Sequence, residues 1–298
     1  MFRNILLVSV LLAAVPVHAA LRVFACEPEW AALVTELAPD ADVAAATTGF
    51  QDPHYIQARP GLIAKVRRAD LVVCAGADLE VGWLPLLLRQ SSNAGVQPGQ
   101  PGYFEAAMQV ERLEVPTSVD RAEGDLHPYG NPHVQLDPNN ITLIAAALVE
   151  RLAQLDPAGA EGYRSRGAAF DARWRQAIVG WEARAEPLRG ARILSHHRSW
   201  IYLYRWLGIV DGGELEPKPG IPPTTSHLSE LLTRLQGATV RAIIRSAYQD
   251  ARGSEWLAGR TGIPAIVLPN TVRATDGATD LFSWYDDIIT RLLEAGER

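Results

Sequence analysis

At 298 residues the chain is long enough for two domains of ordinary size, and its 48% apolar content can fill two cores. Lys and Arg number 28 against 34 Asp and Glu, for a net charge of −6. That mildly acidic balance argues against nucleic acid or an anionic lipid surface as partner and is compatible with a cationic ligand.

The N-terminus comes first. Arg3, an apolar run over residues 5–15 and the small-residue sequence Val17-His18-Ala19-Ala20 read as a cleavable secretory signal peptide over residues 1–20, so the mature chain is expected in the periplasm. No later stretch has the length and apolarity of a membrane span.

Strand and helix then alternate. Strands are expected at 23–25, 43–48, 71–75 and 110–115, the third so continuously apolar that both of its faces should be buried. Helices are expected at 28–37, 60–69, 79–88 and 141–155, the third despite Pro85, and a Gly/Pro-rich loop fills 90–102. From Asp156-Pro157 a longer helix begins. Tyr163, Phe170, Trp174, Ile178, Trp181, Ala185 and Leu188 recur along it as one apolar stripe. At 1.5 Å per residue its roughly 30 residues span about 45 Å, a strut between two lobes. Strands at 192–195, 209–215, 240–246 and 265–268 follow, with helices at 199–207, 226–235, 254–260 and 280–293.

Such alternation gives parallel sheets with right-handed crossovers. The fold class is α/β: two lobes, each with a mainly parallel four-stranded sheet flanked by helices, joined by one long rigid linker helix. The expected division is 21–156 for the N-terminal lobe, 157–189 for the linker and 190–298 for the C-terminal lobe. Cys26 and Cys74 end two strands of the first lobe. They form a disulfide if those strands are neighbours and are otherwise two buried thiols; neither has metal-motif spacing.

Chemistry concentrates in four loops. His54 follows the second strand, His133 the last strand of the first half, His197 the first strand of the second half, and Asp280 opens the final helix. All four stand at carboxyl ends of strands, where open parallel sheets place their ligand sites, and two facing lobes would bring them into one crevice. Taken singly, His54 reads equally well as a turn residue, His197 as a helix start and Asp280 as an N-cap. Three imidazoles and a carboxylate suit Zn²⁺ and suit Mn²⁺ or Mg²⁺ less. Binding needs neutral histidines, so affinity should fall as pH drops through about 6.5.

Four motifs carry a family resemblance: Asp52-Pro53-His54-Tyr55, Asn131-Pro132-His133-Val134-Gln135-Leu136-Asp137-Pro138, His197-Arg198-Ser199-Trp200 and Leu215-Glu216-Pro217-Lys218-Pro219-Gly220-Ile221-Pro222-Pro223. In this order, across essentially the whole mature chain, they resemble the zinc/manganese solute-binding proteins of ABC transporters, the periplasmic zinc-binding group in particular. The resemblance implies two α/β lobes on a rigid helix, with one Zn(II) per chain held in the cleft as transported cargo. It also implies delivery to an ABC-type membrane permease with a separate ATPase, no catalytic activity and a monomeric chain. A periplasmic metallochaperone is a further candidate partner. The implied ligands are His54, His133 and His197, with Asp280 closing the shell and Asp276 as the alternative carboxylate. His127 stands where many zinc-specific relatives carry a long His/Asp-rich loop, here reduced to Asp125-Leu126-His127; it is an auxiliary metal ligand or a solvated loop residue. His196 is read as structural, His227 as a helix-surface residue and Glu216 with Lys218 as a turn at the cleft rim. The competing functions are a secreted zinc-dependent hydrolase, a manganese receptor of the same fold, and a siderophore or corrinoid carrier. The chain lacks His-Glu-x-x-His, a Gly-x-Ser-x-Gly elbow and a P-loop.

Overall fold

The computed structural model describes residues 20–118, 124 and 127–296. The expected leader, apart from Ala20, lies outside these residues, as do Asp125 and Leu126. In chain order the first half runs β1 (Arg22–Ala25), α1 (Pro28–Leu37), β2 (Asp42–Ala45), α2 (Pro60–Arg68), β3 (Leu71–Cys74), α3 (Leu84–Ser91), β4 (Tyr103–Glu105) and α4 (Pro138–Leu155). A long helix, α5 (Ala160–Ala185), follows. The second half is β5 (Arg192–Ser195), α6 (Ile201–Leu207), β6 (Val210–Glu214), α7 (Thr225–Arg234), β7 (Ala242–Arg245), α8 (Arg252–Thr261), β8 (Ala265–Val267) and α9 (Leu281–Glu294).

Each half forms one four-stranded sheet, ordered β2-β1-β3-β4 and β6-β5-β7-β8, and every strand pairing described is parallel. The two sheets therefore share one winding, with the first-entered strand next to the third. β3 is buried at all four positions, as its apolar run requires.

Two expected elements differ. The fourth strand is not at 110–115 but at Tyr103–Glu105, which pairs with β3 in the register Val72↔Tyr103 to Cys74↔Glu105. The 110–115 backbone is spent on other partners: Leu113 N donates to Tyr202 Oη, and Leu113 O accepts from Asn131 N. The third helix begins at Leu84 rather than 79, because Pro85 lacks an N–H and fits only the first turn. Between β3 and that helix the chain turns through Gly76, Ala77 and Asp78, all with positive φ.

Helix α5 has 26 residues, about 39 Å, and packs on α4 and α1 of one half and α9 of the other. Its stripe is buried as expected at Tyr163, Phe170, Trp174, Ile178, Trp181 and Ala185. Phe282 and Tyr285 from the last helix complete an aromatic cluster around Trp174 and Trp181, with the Trp181 and Tyr285 rings stacked at 4.9 Å. Trp174 Nε1 donates to Pro138 O and Trp181 Nε1 to Asp286 Oδ1, so both indoles are anchored across the joint. One continuous apolar core runs from Val23 and Trp30 through α4 and α5 to Trp284 and Ile288. Smaller clusters pack the outer faces of the two sheets.

Candidate metal centre

The first lobe supplies three histidines, two of them, His54 and His133, from anchored loops. The His54 loop is anchored by the buried Trp83, whose Nε1 donates to Pro53 O at 2.8 Å. It starts at Gly49, where a Cβ would stand 2.5 Å from Ala274 Cα of the other lobe, so only glycine admits this approach. Asp52 Oδ1 accepts from His54 N and lies 2.7 Å from His54 Nδ1, leaving Nε2 to face inward. His133 sits between Pro132 and the N-terminus of α4, which Asp137 caps through Asn139 N. Asn131 holds this segment from both sides: its Oδ1 accepts from His133 N, and its Nδ2 donates to Arg198 O at 2.8 Å. Tyr202 Oη donates to Asn131 O. His133 is thereby tied to the chain that carries His197.

His197 follows β5 in the second lobe. Its Nδ1 lies 2.6 Å from Glu216 Oε2, which also accepts from Gly220 N. A carboxylate on one ring nitrogen fixes the tautomer and aims the other nitrogen outward, the usual support of a metal-ligating histidine. Ligand atoms of His54, His133 and His197 all lie within 4.8 Å of one another, and all three residues are buried or nearly so. His133 Nε2 is buried with no hydrogen-bond partner in the protein. A buried imidazole nitrogen left unpaired is costly unless a ligand takes it. His127 adds a fourth ring: its Nε2 lies 3.4 Å from His54 Nε2, and its ring centroid is 6.5 Å from that of His133. Burial, reinforced by the neighbouring imidazoles, holds His133 well below the ordinary histidine range. The same cause, burial first, pushes His127 down to about 3. Both rings are therefore neutral and carry free lone pairs at any ordinary pH. Beside the cluster opens a cleft of about 680 Å³, walled by His54, Tyr55, His196, His197 and Trp256.

Residues 23–295 match the family model described as "Zinc-uptake complex component A periplasmic". The chain belongs to that family. Among curated relatives, the zinc uptake protein ZnuA of Yersinia pestis is 24% identical over 195 residues, 61% of each chain. The manganese ABC transporter substrate-binding lipoprotein PsaA of Streptococcus pneumoniae is 22% identical over 221 residues, 72% of this chain and 67% of that one. A crystal structure of ZnuA has the same fold, with a TM-score of 0.79 at 21% identity over 93% of this chain and all of the other.

Asp280, expected as the carboxylate ligand, stands apart from the histidine cluster. Asp280 is exposed and serves as the N-cap of α9: its Oδ1 accepts from Ser283 N at 2.8 Å and from Ser283 Oγ, while Asp280 N donates to Ser283 Oγ. It lines a separate groove with Pro28, Val43 and Leu281, and it is not among the clustered ligand atoms. Asp276 is exposed and likewise outside the cluster. Glu216, expected only as a turn residue, instead orients His197. The signal was a carboxylate at the carboxyl end of the neighbouring strand, facing the same crevice. His196 is buried, with Nε2 3.8 Å from Glu216 Oε1. His227 is not simply on the surface, since its Nε2 bonds Glu214 O. Cys26 and Cys74 form a disulfide between the adjacent strands β1 and β3.

Proposed function

We propose that the chain is a periplasmic zinc receptor that holds one Zn(II) between its lobes with His54, His127, His133 and His197. The ion is cargo, passed to an ABC-type permease driven by a separate ATPase, and the receptor has no catalytic activity. A lobe of residues 21–156, a linker of 157–189 and a lobe of 190–298 are its working parts, with residues 1–20 directing export. It acts as a monomer, and a metallochaperone is a candidate donor upstream.

The observation that carries this reading is the 3.4 Å between the Nε2 atoms of His54 and His127. With Zn–N bonds of about 2.0–2.1 Å, the edge of a regular tetrahedron is about 3.3–3.4 Å. His133 and His197 stand beside that pair, and a zinc held by all four imidazoles would need no carboxylate. Four nitrogen donors favour zinc over manganese, which prefers oxygen-rich sites. An imidazole in the fourth position also leaves no place for the water that a hydrolytic zinc site keeps open.

Metal analysis and competitive chelator titration of the purified protein test this. One tightly held zinc per chain is expected, with most of the affinity lost in His133→Ala and His197→Ala. Preference for manganese, or zinc-dependent turnover of ester, peptide or phosphate substrates, would overturn it.

A further inference from the structure

The fourth imidazole rests on a turn outside the ligand set. After β3 the chain passes through Gly76, Ala77 and Asp78 with φ of 76°, 50° and 65°. Three successive left-handed residues are unusual, and two of them carry the Cβ that disfavours this region. Such a conformation persists only where its surroundings impose it.

Here the imposing group is Glu80. Its side chain is buried and turns back on its own approach: Oε1 accepts from Ala75 N at 2.8 Å and Oε2 from Gly76 N at 3.2 Å. The buried Glu27, at the end of β1, reaches the same Ala75 N at 3.3 Å and hydrogen-bonds Glu80. Leu79 N closes the turn on Gly76 O. Gly76 is itself fixed from outside, because a Cβ there would stand 2.8 Å from Glu105 Cβ. With the amides of residues 75 and 76 drawn to Glu80, the Ala77 carbonyl is presented to the His127 ring, which hydrogen-bonds it. The ring is then held in the tautomer whose Nε2 lone pair faces His54.

We infer that Glu80 is a positioning residue for zinc capture: it pins the 76–78 turn whose carbonyl fixes the tautomer and aim of His127. The inference rests on His127 being a ligand, and its test separates the two claims. Glu80 touches neither metal nor any of the four imidazoles; it acts through the backbone.

The test uses the full mature protein, loaded with cobalt(II) for its visible spectrum and with zinc for affinity. Variants are His127→Ala, Glu80→Leu, Glu80→Gln and the double variant of His127→Ala with Glu80→Leu. Losing the outer partner of a ligating histidine typically lowers metal affinity about 10- to 100-fold. Glu80→Leu is therefore expected to weaken zinc binding about tenfold or more and to alter the cobalt spectrum in the same sense as His127→Ala. The double variant should be no weaker than His127→Ala alone, since both changes remove one interaction. Glu80→Gln, which keeps an acceptor oxygen, should recover most of the loss. If His127→Ala alters the spectrum but Glu80→Leu does not, or if the two losses add, the positioning role is wrong. If His127→Ala itself changes nothing, the ligand reading falls too. Should Glu80→Leu fail to fold, nitrogen-15 NMR of the histidine rings in the wild-type protein decides: a single hydrogen-bonded Nδ1–H tautomer at His127 is expected, and an Nε2–H tautomer overturns the inference.

Discussion

Zinc binds the neutral imidazole, so a ring already neutral binds without first shedding a proton, and the burial of His127 and His133 meets that condition. Their folded-state pKa values lie below that of free imidazole, about 6.5. At pH 6 both are therefore neutral before zinc arrives and release no proton on binding. Four ordinary imidazoles would release about three protons at that pH. Calorimetry at pH 6 in buffers of different ionisation enthalpy should give no more than two; three or more would mean that these rings are charged in the apo protein. Asp280 makes the opposite case. As a cap it supports helix α9; with the four imidazoles proposed above as the shell, Asp280→Ala should lower stability by about 1 kcal/mol and leave zinc affinity within about twofold. Paired chelator and thermal titrations would show this, and a tenfold affinity loss would return Asp280 to the ligand set. His197 was legible because it closely follows the apolar strand β5, whereas His133 comes after residues 110–115, which form no strand, and was marked by its flanking prolines instead. An Asp opening a helix after a strand looks the same as cap or ligand, so the sequence leaves both readings of Asp280 open. His127 reads in sequence only as an auxiliary ligand or a solvated loop residue, because its hydrogen bond to Ala77, fifty residues away, leaves no mark there.

At the scale of elements, the ordered loops owe their precision to what lies behind them. Helices starting on Pro28, Pro60 and Pro138 were readable to within a residue or a few, since proline at a first turn is a local signal. β4 was not, because three residues are too short to show a period, and its place was settled by the free edge of β3. The disulfide ties β1 to β3 directly beneath the 76–78 turn and closes a loop with a sequence separation of 48. On chain entropy, replacing both cysteines with alanine should cost about 4 kcal/mol of stability, read from urea unfolding of the metal-free protein. No change in the midpoint would show that the parallel ladder alone holds this corner. Tyr202 and Asn131 link the His133 loop to the His197 segment, a contact no sequence pattern announced because it joins positions 71 residues apart.

In the whole molecule, the two sheets are less independent than two lobes on a strut suggest. The continuous core crosses α5, Glu29 of α1 accepts from Thr271 Oγ1 beyond β8, and Tyr285 Oη donates to Gln135 O. Wide separation of the lobes would expose the Trp174–Trp181 cluster. The architecture followed from periodicity and strand order; the proposed nitrogen-only shell did not, because it depends on which carboxylates are engaged elsewhere. X-ray absorption at the zinc K-edge of the loaded protein tests that shell most directly. Four nitrogen donors at about 2.0 Å with the multiple scattering of four imidazoles are predicted, falling to three in His127→Ala. A shell with a carboxylate oxygen in place of the fourth imidazole would contradict it.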